Sequence, residues 1–305
     1  MHRFSTLVFR AALFVAIVWF IGQVVSDRWF WSQWLLWIPT FIVLLILFLV
    51  ASILAQSRRK YEFAIIAVVF LVLACYFLFN ENNVFSTNNA KGELKIAAWT
   101  MSHSKQKVAE ESAELIVQLD PDIMLLTHGW HVRGEPSIKK WLGNDGKKLI
   151  SGPFTLLTTV RPIEVRTLVA SDGIYISLFK LDTRNQLGRE LVIYAVDLPF
   201  NLLESRASIV RRAQRLLSKA DAEEPHVVIG DFNMTRNSNS MKRLFPAMTD
   251  AWDSGGMGWS SSYHRAFPLF HIDHILVGED IHALSYELVD PQIGRHCIQL
   301  LQLTQ

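Results

Sequence analysis

Cysteine and net charge are both scarce in this sequence, and each scarcity excludes a class of protein. The 305 residues include two cysteines, Cys75 in an apolar run and Cys297 far from it, so no disulfide framework holds the fold. The formal net charge of +2 is too small to indicate nucleic acid or an acidic partner. The first 80 residues are also nearly free of charge, whereas the remainder carries almost all the acidic residues. The chain therefore has two parts with different surroundings.

Three long apolar runs fill the first part. We predict membrane-spanning helices at about 7–25, 30–55 and 62–79 within a transmembrane region of residues 1–80, because a span needs roughly 20 apolar residues. Pro39 lies inside the second run and predicts a kink there. Tryptophans cluster near the start of that run, as in the aromatic belt at a membrane surface. The lipid bilayer is therefore an expected partner.

Two alternatives compete with a membrane anchor. The first run has the basic start and apolar centre of a signal peptide, but it lacks a clear small-x-small cleavage site, and Ser26-Asp27-Arg28 leads directly into the next run. The runs could also be buried core helices of a soluble protein, which three successive runs with so few charges disfavour. We therefore favour an anchor of three transmembrane helices.

The basic residues indicate how this anchor is oriented. Two basic residues precede the uncharged part of the first helix, and three form the loop between the second and third helices. Arg28, beside Asp27, is the one basic residue on the opposite side. The positive-inside rule then places the N-terminus and the second loop in the cytoplasm. With three crossings, we expect a multi-pass protein of the cell membrane whose soluble domain is extracytoplasmic. The basic residues concerned are Arg3, Arg10, Arg58, Arg59 and Lys60.

An asparagine-rich stretch links the anchor to the rest of the chain. Residues 81–93 lack apolar periodicity and, with Asn80, are interpreted as a short flexible tether. Residues 94–305 then form one domain, since about 210 residues provide one full core. Apolar strands alternate with amphipathic helices in this part, which predicts a layered α/β or α+β domain. The predicted strands are 94–99, 123–126, 191–196, 226–229, 272–277 and 297–303, and the predicted helices end at Leu119 and Lys219.

Three short motifs carry candidate chemistry. VVIGDFN places Asp231 and Asn233 directly after a strand, where catalytic side chains are often found, although an Asx-rich turn would give the same pattern. HIDH places Asp273 at a buried strand, where a carboxylate needs a partner or a capping role. Gly294-Arg295-His296 precedes the last strand, and a single histidine there is equally compatible with a structural role.

In this order, the motifs resemble the endonuclease/exonuclease/phosphatase superfamily. The resemblance extends from about Leu94 to Leu303 and implies a four-layer α/β/β/α sandwich with the active site at one edge of two packed sheets. It implies that Asp231 orients or deprotonates the attacking water and that Asn233 holds the phosphate. It also implies that Asp273 orients His296, which contacts the phosphate.

The sequence departs from the family at four other positions. The family's Trp-Asn is Trp99-Thr100 here, and its Gln-Glu, whose glutamate is the central metal ligand, is Thr127-His128. Its mid-domain histidine corresponds to Asp197, and the acidic residue of its Ser-Asp-His corresponds to Arg295. We assign Thr100, His128, Asp197 and Arg295 to substrate binding. The family uses Mg²⁺ or Mn²⁺, but the ligand positions are lost here, so we predict no metal site of that kind.

Two functions remain open. In one, the domain is a phosphodiesterase or phosphatase in which Asp231 activates water and Asn233, His296 and Arg295 stabilise the phosphoryl oxygens. In the other, catalysis is lost and the cleft binds a ligand or a protein partner. The four retained residues favour the first and the missing metal ligands favour the second. A weaker third hypothesis is a different metal bound through His128, His131 or His271. The sequence does not reveal the substrate: under the first function it is a phosphoester of unknown class, and nucleic acid, a phospholipid headgroup and a small phosphoester all remain open. No specific protein partner is indicated.

Overall fold

The anchor is a group of apolar helices at the N-terminus. The computed structural model describes residues 2–86, 91–101 and 108–305. The anchor consists of α1 (His2–Val25), α2 (Phe30–Leu36), α3 (Thr40–Gln56) and α4 (Lys60–Tyr76), and α4 continues as one π-helical turn, Phe77–Glu81. Val43, Leu47 and Leu54 of α3 are buried against α1 and α4.

Two or three of these helices could span a membrane. Arg3–Val25 and Lys60–Glu81 are each long and apolar enough, and a third span requires that α2 and α3 be counted as one. These two helices are bent by 60° relative to each other, so the predicted single helix at 30–55 with a kink is instead two helices. The break falls at Trp37–Pro39 because proline lacks a backbone N–H and disfavours a helical conformation in the preceding residue.

The short helix α2 contacts the soluble domain. The side-chain carbonyl of Gln33 accepts a hydrogen bond from the backbone N–H of Arg206 at 3.1 Å. The Arg206 guanidinium lies 5.6 Å from the ring centre of Trp37, a cation–π contact, and Trp37 also packs 5.4 Å from the ring of Phe270. The first part of the second apolar run therefore joins the anchor to the domain.

Two further segments of the anchor dock on the domain. The carboxylate of Asp27 is fully buried and accepts hydrogen bonds from the Ser238 hydroxyl and the Ser240 N–H. The side chain of Asn82 accepts the N–H of Ser260 at 2.8 Å. The predicted flexible tether is therefore wrong for residues 80–83, which are hydrogen-bonded to the domain. Residues 87–90 lie outside the described part. Asp27 and Asn82 thus both contact the domain.

The soluble domain contains two mixed sheets. Within the described residues, one sheet has the strand order β11-β12-β1-β2-β4-β3 and the other β5-β6-β7-β8-β10-β9. The predicted α/β/β/α sandwich is confirmed. The strands are β1 (Leu94–Thr100), β2 (Ile123–Thr127), β3 (Lys147–Ser151), β4 (Phe154–Thr158), β5 (Pro162–Ser171), β6 (Ile174–Thr183), β7 (Arg189–Asp197), β8 (Val227–Asp231), β9 (Thr249–Asp250), β10 (Asp273–Val277), β11 (His282–Val289) and β12 (Ile298–Thr304).

Alternation along each strand divides its side chains between two hydrophobic layers. In β1, Ile96 and Ala98 face the core between the sheets, whereas Ala97 and Trp99 belong to the cluster that includes the helices outside the first sheet. A third cluster packs the helices of the other face against the second sheet. The domain helices are α5 (Ala109–Leu119), α6 (Pro136–Leu142), α7 (Arg184–Leu187), α8 (Arg206–Leu217), α9 (Asn239–Leu244) and α10 (Ala251–Gly255).

Candidate active site

Three aspartates lie side by side at one end of the second sheet. Asp231 ends β8, and its register partners are Asp197 on the parallel strand β7 and Asp273 on the antiparallel strand β10. Gly230 makes this close pairing possible. Its φ is 153°, and a Cβ there would lie 1.8 Å from the carbonyl oxygen of Val196, so any other residue would push β7 and β8 apart.

Asp273 and His296 form a buried pair. Nδ1 of His296 lies 2.9 Å and 3.1 Å from the two carboxylate oxygens of Asp273, within the hydrogen-bond distance expected if one residue orients the other. The hydroxyls of Thr100 and Ser262 donate to the same carboxylate at 2.9 Å and 2.6 Å. Asp273 is thus held by three side chains, and no described residue is hydrogen-bonded to Nε2 of His296.

The three titratable groups of this cluster affect one another strongly. Burial would lower the pKa of His296, but the charge and hydrogen bond of Asp273 raise it to about 9. Burial would conversely raise the pKa of Asp273, and His296 holds it below its ordinary value. Burial and the nearby charge of Asp273 raise the pKa of Asp231 well above its ordinary value. The cluster therefore holds an imidazolium–carboxylate pair beside a carboxyl group that retains its proton more strongly than usual.

Asn233 is held next to Asp231 by its own backbone. Its φ of 51° is a left-handed conformation that asparagine adopts more readily than most residues. Its N–H donates to Asp231 at 3.0 Å, and its side-chain amide donates to the carbonyl of Leu198 at 2.8 Å. The turn thus brings a carboxyl group and an amide to one edge of the sheet, both more than nine-tenths buried.

Comparison with known proteins connects this geometry to a family. The profile of the endonuclease/exonuclease/phosphatase family matches residues 103–296, and it ends at the histidine of the buried pair. The chain belongs to this family. A search of curated proteins found no match for it.

Solved structures share the fold at low sequence identity. The endonuclease/exonuclease/phosphatase from Bacteroides vulgatus is 17% identical with a TM-score of 0.52, covering 69% of this chain and 98% of its own. The mannosyl-6-phosphatase of Bacteroides thetaiotaomicron is 13% identical with a TM-score of 0.52, covering 69% and 99%. Truncated TDP2 from Caenorhabditis elegans is 13% identical with a TM-score of 0.52, covering 68% and 96%. These likenesses show the fold alone.

The departures from the family pattern have distinct places in the structure. Nε2 of His128 lies 3.0 Å from the carboxylate of Asp197. Because Asp197 is the β7 neighbour of Asp231, a second histidine–carboxylate pair adjoins Asp231 on the β7 side. Thr100 contacts Asp273, as described above, and so supports the pair. Arg295 is exposed, and its backbone carbonyl accepts the N–H of Arg265 at 2.7 Å. The structure thus brings Thr100, His128 and Asp197 to the cluster and leaves the side chain of Arg295 exposed.

The donor atoms do not fit the divalent ion that the family uses. Ligand atoms of Asp231, Asp273 and His296 lie within 4.8 Å of one another, which by itself would allow a metal. However, both oxygens of Asp273 already accept hydrogen bonds. One oxygen of Asp231 accepts the N–H of Asn233. Mg²⁺ is held by free carboxylate oxygens in octahedral geometry, so this set is a poor site for it.

The three histidines of the different-metal hypothesis lie in separate surroundings. His271 lies with Asp250 and His274 in a second buried group whose ligand atoms are also within 4.8 Å of one another. His128 is instead paired with Asp197, and His131 begins the turn before a short 3-10 helix. The described residues therefore do not bring His128, His131 and His271 into one ligand set.

Sequence reasoning missed two side chains that support the site. Ser262 lies on an irregular loop whose sequence, GWSSSYHRAF, contains no pattern that would single it out. Arg206 is fully buried at the start of α8, and its Nη1 donates to the carbonyl of Pro199 at 2.8 Å. Its burial depends on α2 of the anchor, a contact that local sequence does not reveal.

Proposed function

We propose that this protein is a membrane-anchored phosphoesterase that hydrolyses its substrate with an activated water. The observation that carries the proposal is the buried cluster of Asp231, Asp273 and His296. A carboxyl group next to an imidazolium–carboxylate pair offers a base for water and a cation for phosphoryl oxygens at one place. The fold supports this assignment, since it belongs to a family of phosphoesterases.

Each side chain has a separate task in the proposed reaction. Asp231 in its ionised form takes a proton from the water that attacks phosphorus, while the P–O bond to the alcohol of the substrate breaks. The departing alkoxide takes a proton from solvent. The imidazolium of His296 donates from Nε2 to a phosphoryl oxygen, and Asp273 holds the ring in position and keeps it charged. The side-chain amide of Asn233 has a second N–H that is available to another phosphoryl oxygen. The exposed guanidinium of Arg295, the residue before His296, is suited to a second phosphate or an acidic group of the substrate.

A second candidate function is binding without catalysis. The observation that favours it is that no carboxylate stands at the two metal positions, His128 and Arg295, while Asp273 has no free oxygen. In that case the cluster would bind a phosphoester and retain it. Measured turnover distinguishes the two candidates.

The surroundings of the site favour a substrate at the membrane surface. The loop after β7 exposes Phe200 and Leu203, by 59% and 86%. Phe200 packs on Trp37 of the anchor, with 6.3 Å between ring centres. The same loop provides the carbonyl of Leu198 that holds Asn233. An apolar loop that adjoins both the anchor and the site suits a lipid phosphoester on the extracytoplasmic face, the location that the basic residues of the anchor predict.

The test is hydrolysis by the full-length protein in detergent micelles. We expect release of nitrophenol from bis(p-nitrophenyl) phosphate or p-nitrophenyl phosphate, and a loss of at least about a hundredfold in rate for Asp231→Asn and for His296→Gln. Asp280→Asn is the matched control, since Asp280 is an exposed carboxylate on the turn before β11. Equal rates for all four proteins would place the chemistry elsewhere. Phosphoester binding with no turnover would select the second candidate.

A further inference from the structure

The short helix α2 and the loop after β7 expose large apolar side chains next to one another. At the start and along one side of α2, four aromatic side chains are 44–54% exposed. On the loop, Phe200 and Leu203 are 59% and 86% exposed. Contiguous apolar surface of this kind marks a contact with a protein, a ligand or a membrane. The four aromatic residues are Trp29, Phe30, Trp31 and Trp34.

The other sides of α2 are already covered. Toward α1, the backbone of Leu35 passes so close to Gly22 that a Cβ on this glycine would lie 2.5 Å from it. Toward the soluble domain, Gln33 and Leu36 are buried, and Gln33 bonds to the backbone of Arg206. The exposed aromatic side chains therefore form the face of α2 that neither α1 nor the domain covers.

The loop after β7 continues this face. Trp34 and Leu202 line the same small crevice between α2 and the domain. The ring of Phe200 packs 6.3 Å from that of Trp37. Arg206 fixes the loop to α2, since its Nη1 donates to the carbonyl of Pro199 while its guanidinium lies over the ring of Trp37. We call the combined patch the aromatic surface, and its exposed members are Trp29, Phe30, Trp31, Trp34, Phe200 and Leu203.

The helices of the anchor indicate the level at which this surface lies. Gly22, which α2 crosses, is three residues from the end of α1, or roughly 5 Å at 1.5 Å per residue. That end adjoins the domain, because Asp27 bonds to Ser238. The 17 residues of α3 extend about 25 Å and are enough to cross a bilayer without α2. Since α2 is bent by 60° from α3, it leaves the direction of a span at the domain side of the anchor.

We propose that the aromatic surface lies in the headgroup layer of the bilayer, with α2 as an interfacial helix and the loop after β7 in the same layer. Trp37–Pro39 alone separate α2 from α3, so a bilayer that surrounds α3 extends to α2. Tryptophan favours this layer because its ring is apolar and its N–H can reach water or headgroups. The inference rests on the proposed membrane anchor, and it does not depend on hydrolysis.

This placement also brings lipid headgroups beside the candidate site. The N–H of Leu198 donates to the carbonyl of Asp231 at 2.9 Å, and its own carbonyl holds the side chain of Asn233. Phe200 follows only two residues later. A loop held in the headgroup layer would therefore keep the β7 side of the site at the membrane surface, where the phosphoesters are those of lipids.

Spin labels on the full-length protein test the placement. The labels are attached to Trp31→Cys and Leu203→Cys in phospholipid nanodiscs, after Cys75→Ala and Cys297→Ala have removed the native thiols. Electron paramagnetic resonance then measures the accessibility of each label to oxygen, which concentrates in lipid, and to a nickel chelate, which stays in water. We expect both labels within about 10 Å of the phosphate level, the depth of interfacial helices.

Two control labels calibrate the result. Phe48→Cys labels an exposed position of α3 and should lie deep in lipid. Asp280→Cys labels an exposed position that pairs with Arg189, at the opposite end of β7 from Phe200, and should lie in water. Should Trp31→Cys or Leu203→Cys change the melting curve, Trp29→Cys and Phe200→Cys label the same surface.

The controls separate the ways in which the proposal can fail. Labels on the aromatic surface that are as accessible to nickel as the Asp280 label, with the Phe48 label in lipid, would overturn the interfacial placement and leave the anchor intact. A Phe48 label in water would overturn the anchor and the placement together. Dipolar coupling between Trp31 labels of two chains would identify a second copy as the occupant of the surface, and would also overturn the proposal.

Discussion

Asp273→Asn is the substitution that most directly tests the electrostatics of the site. Asp273 keeps His296 protonated against a burial that favours the neutral ring, and the pKa of His296 is raised to about 9. Asparagine has nearly the same shape but no charge. We therefore expect the pKa of His296 to fall to about 6.5 or below, because burial lowers this pKa and the charge of Asp273 would no longer raise it.

The magnitude follows from the two pKa values. A rise from about 6.5 to about 9 corresponds to about 3 kcal/mol of preference for the imidazolium in the folded protein. Because the folded pKa of His296 is the higher one, this stability is fully present below about pH 6.5 and is lost as pH rises through about 9. In a domain of about 210 residues it corresponds to roughly 6–12 °C of melting temperature.

Two assays measure the effect. Nuclear magnetic resonance of ring-labelled histidine gives the pKa of His296 in the native protein and in Asp273→Asn, with His296→Gln used to assign the signal. Melting between pH 6.5 and 9.5 should show a loss in the native protein that is absent from His296→Gln and present in His282→Gln, an exposed histidine on β11. A His296 pKa that stayed near 9 in Asp273→Asn would refute the reasoning and assign the proton to the influence of Asp231.

Four further outcomes are expected. Above about pH 5, Asp231→Asn should melt at a higher temperature than the native protein. Burial raises the pKa of the Asp231 carboxyl, so the native protein loses stability when the unfolded chain can ionise this group and the folded chain cannot. An unchanged or lower melting temperature would contradict the raised pKa. Asp27→Ala leaves the Ser238 hydroxyl and a backbone N–H without their acceptor, about 1–3 kcal/mol each, and should speed trypsin cleavage in the 234–239 loop. Reporter fusions after Asn89 should be active with an exported phosphatase and silent with a cytoplasmic reporter, and the reverse would overturn the proposed orientation. Calorimetric titration with Mg²⁺ and Mn²⁺ should show no micromolar site, because both oxygens of Asp273 and one oxygen of Asp231 already accept hydrogen bonds. Micromolar binding that Asp231→Ala abolishes would refute this.

Sequence patterns were sufficient where a residue's structure depends on its near neighbours. The apolar runs predict membrane helices because length and lack of charge decide whether a helix suits a bilayer. The buried strands β1, β2, β7, β8, β10 and β12 were found because each is a short, continuous apolar run. The strands between residues 147 and 183 were missed. In β5, half-exposed and exposed residues alternate, which local periodicity does not separate from a loop.

The anchor illustrates the same division. Its apolar character and the kink at Pro39 are evident in the sequence. The size of the bend, 60°, and the docking of α2 on the domain are evident only in three dimensions. Asn82 lies in a stretch whose composition indicates a flexible tether, yet it bonds to Ser260, 178 residues later. Composition describes what a segment would do alone, and contacts between distant residues can reverse it.

For the candidate site, the sequence by itself identified Asp231, Asn233, Asp273 and His296, because each lies in a motif next to an apolar strand. Tertiary structure alone decided how they meet. The register of β7, β8 and β10 aligns three aspartates that are far apart in the chain. The hydroxyls of Thr100 and Ser262 then donate hydrogen bonds to the carboxylate of one of them, Asp273. The physical reason is that burial and nearby charges set the pKa of a side chain, and its neighbours decide which of its hydrogen-bonding positions are already used. Only the folded chain brings these neighbours together.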